Sequence, residues 1–106
     1  MMEEKEVVLK ALEKVDKWYV QLAGIKGDEL LIVSQKEVPK EIEVEGRKLT
    51  VKHYSPEEYL TVITKDENEF RSYHVYYFVK MYMRKVLDLL AYLEVNRIRI
   101  DERDLL

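Results

Sequence analysis

The stretch DENEFRSYHVYYFVKMYMRKVLDLLAYL, residues 66–93, decides how the fold is read. On a 3.6-residue period its apolar side chains, from Phe70, Val75 and Phe78 through Met81, Met83, Val86, Leu87 and Leu90 to Leu93, cover most of the circumference. Only Lys80, Arg84 and Asp88 fall at i, i+4 and i+8 as a polar strip. Asp66 and Glu69 stand where a capping residue and its reciprocal acid would open such a helix. The period predicts one long C-terminal helix over this stretch. At 1.5 Å per residue it would run about 40 Å, against a radius of gyration of about 13 Å for a 100-residue domain. A helix of that length, apolar on nearly every side, needs cover on two faces. The expectation is therefore a homodimer built on its Tyr/Met/Leu surface, with Tyr73, Tyr77, Met81 and Leu90 at the interface.

Working back toward the N-terminus, Ser55-Pro56-Glu57-Glu58 is a helix start. Ser55 can cap, Pro56 suits the first helical position, and Glu58 can return the bond, which predicts a short helix to about Thr64. Ile42 and Val44 alternate with Glu41, Glu43 and Glu45, and Leu49 and Val51 alternate with Lys48, Thr50 and Lys52; Glu45-Gly46 between them supplies a turn. An acidic outer row thus faces a basic one across a hairpin, each such pair contributing about 0.2–1 kcal/mol. Trp18 to Leu22 reads as a strand in preference to a helical continuation, Lys26-Gly27 as a turn, and Leu30 to Val33 as a continuous apolar strand buried on both faces. Residues 3–16 place Val7, Val8, Ala11, Leu12 and Val15 on one stripe of an amphipathic helix. Arg97-Ile98-Arg99-Ile100 alternates like a short terminal strand. The expected fold is α+β: an antiparallel four-stranded sheet of two hairpins packed on the long C-terminal helix, with an N-terminal helix.

Composition bounds the rest. The 106 residues fit a single domain, 1–106, and 47% hydrophobic with 37% charged residues excludes a disordered chain. Apolar runs are broken by Lys or Arg before they could span a bilayer, so no membrane partner is expected. Glu3, Glu4 and Glu6 directly follow the two initial methionines, unlike a secretory leader, and a cytoplasmic protein is expected. There is no cysteine, which removes disulfides and thiolate chemistry. Abundant Lys and Glu beside two Asn and two Gln fit a thermophilic protein.

No catalytic pattern emerges, and neither a cofactor nor a metal is expected. The three glycines, Gly24, Gly27 and Gly46, are all accounted for by turns, so no glycine-rich phosphate loop remains. His53 shares the parity of Leu49 and Val51 and lies near Glu57, which makes a histidine–carboxylate site conceivable, though a backbone-bonded histidine is the commoner arrangement. His74 falls among Tyr73, Tyr76, Tyr77 and Phe78. Residues 70–100 carry six basic groups against Asp88 and Glu94, an excess of four. Arg71, Lys80, Arg84, Arg97 and Arg99 with neighbouring tyrosines are accordingly the alternative, nucleic-acid-binding surface. The primary expectation is a small non-enzymatic interaction protein with a protein partner, first of all its own second copy.

The order helix, a strand ending Leu22-Ala23-Gly24, then Gly27-Asp28-Glu29-Leu30-Leu31-Ile32-Val33, then a strand entering Ser55-Pro56-Glu57-Glu58-Tyr59, resembles a shortened minimal nucleotidyltransferase. That family has Gly-Ser after its first strand, holding a nucleotide phosphate, and Asp-x-Asp opening the second, holding magnesium. Here Ile25 stands at the serine position, and Gly27 and Glu29 stand at the two aspartates. The resemblance implies a degenerate domain lacking catalytic residues.

Overall fold

The computed structural model describes residues 2–65 and 73–79. Its chain order is α1 (Glu4–Leu12), a single 3-10 turn (Lys17–Tyr19), β1 (Val20–Lys26), β2 (Glu29–Ser34), β3 (Glu41–Val44), β4 (Arg47–Tyr54), α2 (Pro56–Lys65) and β5 (His74–Phe78). The strands form one mixed sheet in the order β3-β4-β2-β1-β5.

The two hairpins form where the turn residues stand. Gly27 joins β1 to β2 at φ 59°, and Glu45 and Gly46 join β3 to β4 at φ 49° and 82°, the double left-handed turn whose twist matches the flanking strands. Glu43 lies opposite Lys48, so the acidic and basic outer rows meet. Both α2 and its capping box form: Glu58 N–H donates to Ser55 Oγ at 3.2 Å, and Ser55 N–H donates to a Glu58 carboxylate oxygen at 2.9 Å.

The expected antiparallel four-stranded sheet is corrected in two ways. First, β2 pairs with β4 in parallel, from Glu29 opposite Thr50 to Val33 opposite Tyr54. β2 therefore lies at the centre of the sheet with a neighbour on each side, which is why its apolar run is unbroken. The 35–40 connection carries the chain past the place β4 will take, and the β3–β4 hairpin folds back into it. Second, residues 74–78 are not helical. They form β5, antiparallel to β1 at the other margin of the sheet. The run is rich in Val, Tyr and Phe, which favour a pleated surface. When almost every position is apolar, a helical stripe can be drawn through a strand as easily as through a helix. The single helix expected over 66–93 is thus interrupted; the rest of that stretch, with the 97–100 strand, lies outside the described residues.

One face of the sheet is covered by α1. Val7, Val8, Ala11 and Leu12 pack on Ala23, Ile25, Leu30, Ile32, Ile42, Val44, Leu49 and Tyr77, all buried. The opposite face carries Leu22, Leu31, Val33, Val75 and Phe78, buried as well. There α2 packs over β2 and β4, and the Tyr59 ring lies 6.4 Å from that of Tyr54. The free margin of β3 is short and lined by the exposed Glu41 and Glu43. Lys14 Nζ donates to the Glu43 carbonyl, and Lys10 bridges to Glu45 at 2.7 Å, so α1 also closes that edge.

Candidate functional site

Between Leu12 and Val20 the chain must leave α1 and turn into the sheet. Val15 keeps the apolar stripe of α1 going after the helix has ended, packing half-buried against the core. Asp16 and Lys17 then break the stripe, and the 3-10 turn carries Lys17, Trp18 and Tyr19 across the end of the sheet. Trp18, the one tryptophan of the chain, is 86% exposed there.

Its backbone is well anchored. Tyr19 N–H donates to the Asp16 carbonyl at 3.1 Å, and Gln35 N–H donates to the Tyr19 carbonyl at 3.4 Å. The Lys36 ammonium sits 4.3 Å from the centre of the Tyr19 ring and 3.2 Å from an Asp16 carboxylate oxygen. On the other side, the Lys17 ammonium lies 5.3 Å from the centre of the Tyr77 ring on β5. Exposed ion pairs of this kind contribute little to stability. They do hold the turn, so the indole is presented from a fixed base. Sequence reading placed Trp18 in the apolar row of β1 and missed it as a surface residue; the charged pair Asp16-Lys17 just before it was the available signal.

The other candidates fall elsewhere. Tyr73 and Tyr77, expected at an interface, are 1% and 6% exposed, and burial holds both hydroxyls above the ordinary tyrosine range. The Tyr73 hydroxyl also donates to the Glu29 carboxylate, which raises its pKa further. Met81 and Leu90 lie outside the described residues, as do Arg71, Lys80, Arg84, Arg97 and Arg99 of the nucleic-acid alternative. His74 is half-exposed, its Nδ1 3.4 Å from a Glu4 carboxylate oxygen and its ring edge-on to Tyr76.

His53 points its Nε2 at the Ser34 carbonyl, 3.0 Å away, a histidine bonded to backbone. Glu57 lines a shallow groove of roughly 340 Å³ together with Tyr54, Glu58, Thr61 and Val62, and His53 is not part of that lining. Among the described residues no cluster of three or more His, Asp or Glu side chains is placed to hold a metal ion, and no helix is long and apolar enough to cross a membrane. Gly24 lies inside β1, not at a strand end, so the Gly24-Ile25 pair does not form the phosphate-binding turn that the nucleotidyltransferase resemblance implies. No protein-family model, no curated protein and no solved structure matches the chain.

Proposed function

We propose that this chain is a small non-enzymatic interaction protein whose contact surface is centred on Trp18. The exposure of the one tryptophan carries this reading. Trp18 is the one large hydrophobic side chain left exposed among the described residues, and it stands on an anchored turn. Tryptophan is among the residues that dominate binding energy at protein interfaces, where its truncation costs about 2 kcal/mol or more. Among the described residues no packing contact uses that side chain, which leaves its contribution available to a partner.

The test separates a contact surface from a structural residue. In the dilute protein Trp18 emission is expected to be water-like and fully open to a soluble quencher, and Trp18→Ala is expected to leave the unfolding midpoint within the roughly 0.5 kcal/mol typical of surface substitutions. A protected, blue-shifted emission, or a clear loss of stability in Trp18→Ala, would show that the indole is packed within its own chain and would overturn the reading.

A further inference from the structure

We draw no further inference here: the strongest candidate, the shallow apolar groove between the end of β4 and the outer side of α2, lined by Tyr54, Glu57, Glu58, Thr61 and Val62, carries nothing because nothing in the structure shows what covers it.

Discussion

At the scale of single residues, Gly24 and Gln21 in β1 show how tightly the sheet is closed. A side chain at Gly24 would place its Cβ 2.7 Å from the His74 carbonyl oxygen, and both atoms belong to paired backbone with little room to give. The same place holds a bulge: Ala23 faces Tyr77 while Gly24 faces Val75, leaving Tyr76 as the extra residue of β5. Gly24→Ala is therefore expected to destabilise by about 1–3 kcal/mol, read as a lowered urea midpoint, by pushing β5 away from β1. Gln21 is 6% exposed, and its side-chain carbonyl oxygen has no hydrogen-bond partner among the described residues. An unsatisfied buried acceptor costs about 1–3 kcal/mol, so Gln21→Met, which keeps the length of the side chain, should raise the same midpoint. Neither feature was legible in the sequence. Gly24 reads as a turn residue in the sequence and Gln21 gives no signal there, because the register shifts at both places depend on strands distant in sequence.

At the scale of elements, legibility follows how local the determining chemistry is. The capping box of α2 and the Glu45-Gly46 turn need only residues within one turn of each other, and both form as the sequence predicts. Removing the cap by Ser55→Ala should cost about 1 kcal/mol. It should also change the acid limb of the stability profile. The backbone N–H and hydroxyl of Ser55 hold the Glu58 carboxyl below its ordinary value. A depressed carboxylate adds stability above its unfolded pKa and loses it as pH falls through the folded one. Ser55→Ala, compared with wild type in urea melts between neutral and acid pH, should show a shallower loss on acidification. β5 is the opposite case. Its identity depends on β1 being there to pair with it, and the helical period of 66–93 carries no information about that neighbour. The exposure of Trp18 was hidden for a related reason: reading Trp18 to Leu22 as a strand did not reveal that the chain first makes a 3-10 turn.

At the scale of the whole molecule, the continuous Leu30 to Val33 run foretold a strand buried on both faces, and β2 is that strand. What it could not foretell was the direction of its second neighbour, since parallel and antiparallel partners bury the same side chains. The parallel β2–β4 pair is set by the 35–40 connection and by the seat that Ile42 and Val44 of β3 find beneath α1. That seat has a consequence in time. The apolar stripe of α1 rests on β1, β3 and β5, the last of which ends at Phe78. At a synthesis rate of about 5–20 residues per second, completing that platform after Leu12 is made takes on the order of several seconds. The earliest of these elements to be made is thus among the last to be seated, and for that interval the nascent chain displays a bare stripe of Val7, Val8 and Leu12 on which a holding chaperone could settle.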